Sequence, residues 1–138
     1  MAASFLTRDW SGHPGASTEA LAQLRQRIPS RIPRGYLDLL AVSDGGEGPL
    51  PVLPHNCCLD DAATVLSGLA EAWRRDWLDA GFFVIGGNGG GELLAFDLRA
   101  SAEPPIVTID MVAGAESANE VAPTVDAFVA MLGCEAQD

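Results

Sequence analysis

The sequence predicts an α+β fold: a single domain whose antiparallel-rich sheet, including a Gly-rich hairpin, packs against about four helices. Three observations carry this expectation. Residues 82–85 and 92–98 are β-prone runs on either side of Gly86-Gly87-Asn88-Gly89-Gly90-Gly91, where positive φ costs little and the chain can reverse. Segments with apolar residues at helical spacing lie on both sides of that hairpin. A length of 138 residues, 48% hydrophobic and 20% charged, suffices for one globular core.

The elements follow in order. Residues 1–16, interrupted by Gly12, Pro14 and Gly15, are expected to form a loosely held N-terminal arm, which leaves 17–138 as the domain. Ser17 or Thr18 can cap a helix with Leu21, Leu24 and Ile28 on one stripe, ended by Pro29. A second helix begins at Pro33, a residue suited to the first helical position, and presents Tyr36, Leu37, Leu39 and Leu40. Asp44-Gly45-Gly46 stops it, one of the glycines taking the left-handed conformation. From Glu47 to Asn56, prolines 49, 51 and 54 interrupt Leu50, Val52 and Leu53, which predicts an extended segment or edge strand. Asp60 or Asp61 caps a third helix over 61–77, with Val65, Leu66, Leu69, Trp73 and Trp77 inward and Glu71, Arg74, Arg75 and Asp76 outward. Beyond the hairpin come a third strand over 105–111, a small acidic loop over 113–120, and a closing helix from Pro123 to Gly133 carrying Val125, Phe128, Val129 and Leu132. The expected interior comprises Leu94, Phe96, Val107 and Ile109 from the strands, with Trp73, Val125 and Phe128 from the helices.

Catalytic and ligand-binding chemistry finds little to hold. A phosphate loop needs its glycines to open a helix, usually beside a lysine; here a strand-like run follows Gly91, and no basic residue occurs until Arg99. A metal site would recruit His55 with Cys57 and Cys58, yet adjacent cysteines rarely both face one tetrahedral ion. Three cysteines, an odd number, suggest free thiols rather than a disulfide framework. His13 and His55 lie in Gly/Pro-rich stretches without a nucleophile motif, and Cys57 lacks an activating cation. Asp97 and Asp110 could be imagined as a hydrolytic pair, but any chain with nineteen acids offers such pairs. The expectation is a protein that is not an enzyme, with no catalytic, cofactor or metal residues.

Charge says more. Nineteen acidic residues against eight basic ones, all arginine, give a net charge of −11. That balance opposes binding to nucleic acid and to anionic membrane surfaces, and no apolar stretch is long enough to span a bilayer. It suits solubility, and equally the electrostatic capture of a basic protein. The first residues lack the basic start and long apolar core of a secretory signal, so the expected location is cytoplasmic.

Three blocks resemble a known family. They are Ile32-Pro33-Arg34-Gly35-Tyr36-Leu37-Asp38-Leu39-Leu40 running into Ser43-Asp44-Gly45-Gly46-Glu47-Gly48, then the hairpin over 82–99, then Val121-Ala122-Pro123 leading into Val125 and Phe128. In this order they resemble the SUKH superfamily, whose members include a yeast cell-wall-assembly regulator and many bacterial toxin-immunity proteins. The resemblance implies a non-catalytic protein-binding domain: an immunity protein that neutralises a cognate, basic toxin such as a nuclease. The alternative it leaves open is a regulatory adaptor or scaffold; a small-molecule-sensing or enzymatic domain is a third class. Asp44 and Glu47 in the first Gly-rich turn, with Glu92 and Asp97 in the hairpin, are the candidate partner-binding acids, against the plainer reading of a solvated surface.

Overall fold

The hairpin is the centre from which the sheet extends. Strands β4 (Phe82–Gly87) and β5 (Glu92–Asp97) pair antiparallel around the 88–91 turn, in which Asn88 Oδ1 accepts the N–H groups of Gly90 (2.8 Å) and Glu92 (3.2 Å). The structure, a computed structural model, describes residues 4–99 and 102–136; the predicted arm's residues 1–3 and the predicted domain's residues 100–101 and 137–138 lie outside the described residues. β1 (Ser11–Gly12), β2 (Gly46–Pro49), β3 (Asn56–Leu59), β4, β5, β6 (Ile106–Asp110) and β7 (Asn119–Ala122) lie side by side in sequence order, every pair antiparallel. Antiparallel neighbours can be joined by short connections, as β2–β3 and β4–β5 are, while two helices stand between β1 and β2 and two more between β3 and β4.

Five α-helices among the described residues complete the α+β domain: α1 (Thr18–Arg27), α2 (Arg34–Val42), α3 (Ala62–Gly68), α4 (Ala72–Asp79) and α5 (Val125–Met131). Their starts follow capping chemistry. Ser17, Asp61 and Thr124 each accept a backbone N–H three residues on, at 3.1, 2.7 and 3.1 Å. Pro33 is the cap residue of α2, one position before the first helical turn where the sequence set it.

The sheet is buried on both faces. On one side Tyr36 of α2 packs edge-on against Phe96 (5.5 Å) and Phe83 (6.4 Å), within a cluster that includes Leu94, Ile106, Val125 and Phe128. On the other, Phe82, Val84, Leu93, Ala95, Val107 and Ile109 form a second cluster, covered by Trp77 of α4 and by Ala115 and Ala118. Val107 and Ile109 are therefore buried as expected, but on the face opposite Leu94 and Phe96. The register explains this: Val107 opposes Ala95 and Ile109 opposes Leu93, one residue out of phase with Leu94 and Phe96.

Three expectations are corrected. The N-terminal segment is packed rather than loose: Phe5 and Trp10 stack edge-on at 5.8 Å inside the main core. The Trp10 indole N–H donates to Ser43 Oγ (3.1 Å), whose hydroxyl donates to the Gly45 carbonyl (2.6 Å). Glycines make the slot; a Cβ on Gly46 would lie 2.7 Å from Trp10 Cζ2, and one on Gly48 2.8 Å from Cε3. The helix expected over 61–77 breaks into α3 and α4, so the helices number five, and Trp73 is 41% exposed rather than core. The break turns α4 back so that Arg74 crosses Gly68, where a Cβ would sit 2.5 Å from Arg74 Cδ, and reaches Asp60 at 2.7 Å. Finally, the Pro-rich segment opens as β2 and returns as β3, and the acidic loop over 113–120 ends in β7. Four-residue strands carry too little alternation to announce themselves.

Candidate functional site

The register brings three connections to one end of the sheet. Pro49 opposes Asn56, Cys58 opposes Gly87, Gly87 opposes Leu93, and Glu92 opposes Asp110. The loop 50–55, the turn 88–91 and the segment 111–113 therefore emerge together. Hydrogen bonds tie them into one rim: Asn56 Nδ2 donates to the Asn88 carbonyl (3.1 Å), and the Met111 N–H donates to the Gly91 carbonyl (3.0 Å). At about 4.8 Å per strand spacing the rim spans roughly 19 Å from β2 to β6.

This rim is where the chain exposes apolar side chains. Of the six large hydrophobics exposed among the described residues, four sit here: Val52, Leu53, Met111 and Val112, the last 95% exposed. They are held in place. The Asp110 carboxylate accepts the N–H groups of Val112 (2.8 Å) and Ala113 (3.1 Å), and these bonds hold its carboxyl below the usual carboxylate range. The 50–55 loop closes with a bond from the Leu50 N–H to the His55 carbonyl (2.9 Å), with His55 at φ +69°.

The rim is also acidic. Glu47 borders it from the face that carries Cys58, its Oε2 accepting Asn56 Nδ2 at 3.4 Å. Glu92 borders it from the other face and accepts the Thr108 hydroxyl at 3.0 Å. Glu92 and Asp110 stand directly opposite across β5 and β6 and together place two carboxylates at this end of the sheet. The three loops contain no arginine.

Of the four acids singled out in the sequence, the structure brings Glu47 and Glu92 to the rim and leaves Asp44 and Asp97 at the opposite end of the sheet. Asp44 Oδ1 accepts the Ala62 N–H at 2.7 Å, tying the Gly-rich turn to the start of α3. Asp97 pairs with Arg99 at 2.9 Å, and the Arg99 hydrogen bond holds its carboxyl below the usual range. Arg99 in turn covers the Phe82 ring at 4.6 Å. Glu92 and Asp97 end the same strand, about 17 Å apart at strand rise. Asp97 and Asp110 are likewise at opposite ends and form no pair. Cys57 and Cys58, consecutive on β3, face opposite sides of the sheet: Cys57 is in the main core, where burial pushes its thiol pKa up, and Cys58 is half-buried. Met111 and Val112 were not singled out in the sequence, and Asp110 was considered only as a hydrolytic partner of Asp97. Their signal was an apolar pair between an Asp that can brace a turn and a Gly.

Among the described residues no helix is long and apolar enough to cross a membrane. No curated protein matches the chain. A family match does exist, over residues 15–131, and it takes in α1, both Gly-rich turns and α5. With most of its length matched, the chain belongs to the SMI1 / KNR4 family (SUKH-1), generally non-catalytic, which includes toxin-immunity proteins.

Proposed function

We propose that the chain is an immunity protein that binds a cognate basic toxin through the loop rim and neutralises it by occupancy, without turnover or cofactor. The observation that carries this reading is the rim itself: four apolar side chains held out at one end of the sheet among Glu47, Glu92 and Asp110. Apolar anchors in a charged surround are what a protein-binding surface requires, and the net charge of −11 selects a basic partner. The opposed Glu92 and Asp110 would both be favourable beside a cation of the partner. The same charge disfavours nucleic acid and anionic membranes as partners, and free thiols suit a reducing cytoplasm.

The test uses the product of a toxin gene adjacent to that of this chain. Purified chain should inhibit that toxin near one-to-one. Glu47→Lys with Glu92→Lys should slow association, as should added salt, because steering is screened over about 10 Å at 0.1 M. Leu53→Ser with Val112→Ser should mainly accelerate dissociation. Inhibition that survives all four changes moves the interface off the rim. Full toxin activity at saturating chain rejects the immunity reading and leaves a regulatory adaptor.

A further inference from the structure

Positive charge in this acidic chain is not dispersed. Four of the eight arginines, Arg25, Arg27, Arg31 and Arg34, fall within ten residues, and no acid occurs from Ala20 to Leu37. Two of them, Arg25 and Arg34, stand at the rim of the groove between α1 and α2, a depression of about 370 Å³ with Leu21, Ala22, Leu37 and Ala41 along its floor. That volume lies within the range of about 300–1,000 Å³ in which ligand sites fall.

Neither arginine is tied into the fold through its guanidinium. Among the described residues neither guanidinium has a hydrogen bond or ion pair, unlike Arg8, Arg74 and Arg99. Arg25 lies in the last turn of α1, where a cation suits the helix dipole. Arg34 is the first residue of α2, where a cation is disfavoured, and the first turn of α2 has no acid to offset it. Arg34 breaks a local rule that only Asp38, four residues on, offsets, and Arg25 adds a second cation, so the groove retains an excess of positive charge that a partner could meet. Asp38 is the groove's one acid, a turn further along α2.

We infer that the α1–α2 groove is a second docking surface, opposite in charge preference to the loop rim, and that its occupant is a short acidic amphipathic helix of a partner protein. A groove between two helices accepts a third through apolar residues at i, i+3, i+4 and i+7. Carboxylates at one end of that helix would meet Arg25 and Arg34, while its aliphatic residues cover Leu21, Ala22 and Ala41. α1 is ten residues long, so the contact extends over about 15 Å, or three turns. The site is independent of the toxin reading and stands or falls without it.

The probe is a fluorescein-labelled peptide of about 16 residues, long enough for four helical turns, with leucines at that spacing and glutamates elsewhere; its control carries lysine for every glutamate. Anisotropy titrations should show saturable binding of the acidic peptide to the full chain, weakening as salt rises, and none of the lysine peptide. Arg25→Glu with Arg34→Glu should weaken binding about tenfold or more, since attraction becomes repulsion. Ala22→Glu, an exposed floor position, should weaken it too, whereas Val112→Ser on the rim should leave it unchanged. Thermal unfolding of each variant checks that the fold persists. Absence of saturable binding by the wild type, equal binding of both peptides, or undiminished binding by the folded double variant each overturns the proposal.

Discussion

Trp10 and Trp73 exchange the roles that local pattern assigns them, and their substitution separates the two accounts of this fold. Trp10 is 8% exposed, stacks on Phe5 and donates its indole N–H to Ser43; Trp73 is 41% exposed and donates to Glu71 at 2.9 Å beneath the Arg74 guanidinium. Trp10→Ala removes a buried aromatic from a slot floored by glycines, which have no side chains to collapse into the void. The loss should be about 4 kcal/mol, within the 3–5 kcal/mol typical of buried Trp to Ala. Trp73→Ala, on a surface helix, should cost about 1 kcal/mol or less. Urea unfolding followed by circular dichroism reads both. With an m-value of about 2 kcal/mol/M, Trp10→Ala should lower the midpoint by about 2 M and Trp73→Ala by about 0.5 M or less. Acrylamide should quench Trp73 more readily than Trp10. A Trp10→Ala midpoint within about 0.5 M of wild type, or a larger loss at Trp73, would refute the packing of the N-terminal segment.

Other outcomes follow from single groups. Asp61 is held below the usual carboxylate range by its hydrogen bonds to Thr64, and Asp97 by Arg99. Depressed folded-state values contribute stability above the unfolded carboxyl pKa of about 3.9, and it is lost as pH falls through the folded values. Melting temperature should therefore drop below about pH 4, and Asp61→Asn, which keeps a cap acceptor, should flatten that dependence; an unaltered slope would remove the cap carboxylate as a cause. Asp60→Asn should cost about 2 kcal/mol in denaturant, below the 3–5 kcal/mol of a fully buried pair, because the two side chains retain 22% and 12% exposure. A thiol reagent at pH 8 should leave Cys57 untouched until the chain unfolds, while the half-buried Cys58 and Cys134 react in the native state. Modification of all three thiols without unfolding would contradict the burial of β3.

Strong local chemistry was legible in the sequence. Ser17 and Asp61 are helix starts because their side chains can hold an orphan N–H, and the 88–91 turn reverses because Asn and Gly tolerate the geometry. The closing helix, expected from Pro123, is instead capped by Thr124 one residue on. The family was legible in the same kind of chemistry, since two of its three blocks hold Gly-rich turns and the match spans residues 15–131. Even the two-sided sheet left a trace, since Phe82 to Ile85 is a continuous apolar run, the pattern of a strand covered on both faces. What only tertiary structure decided depends on partners remote in the chain. Trp10 enters the core because Gly46 and Gly48, far along the sequence, leave room for its ring; Trp73 leaves it because Arg74 must cross Gly68 to reach Asp60. Glu47 and Glu92 share a rim with Leu53 and Val112, while Asp44 and Asp97 do not, through strand register alone. Register and close approach are set by the sum of many contacts, and no window of neighbouring residues contains that sum.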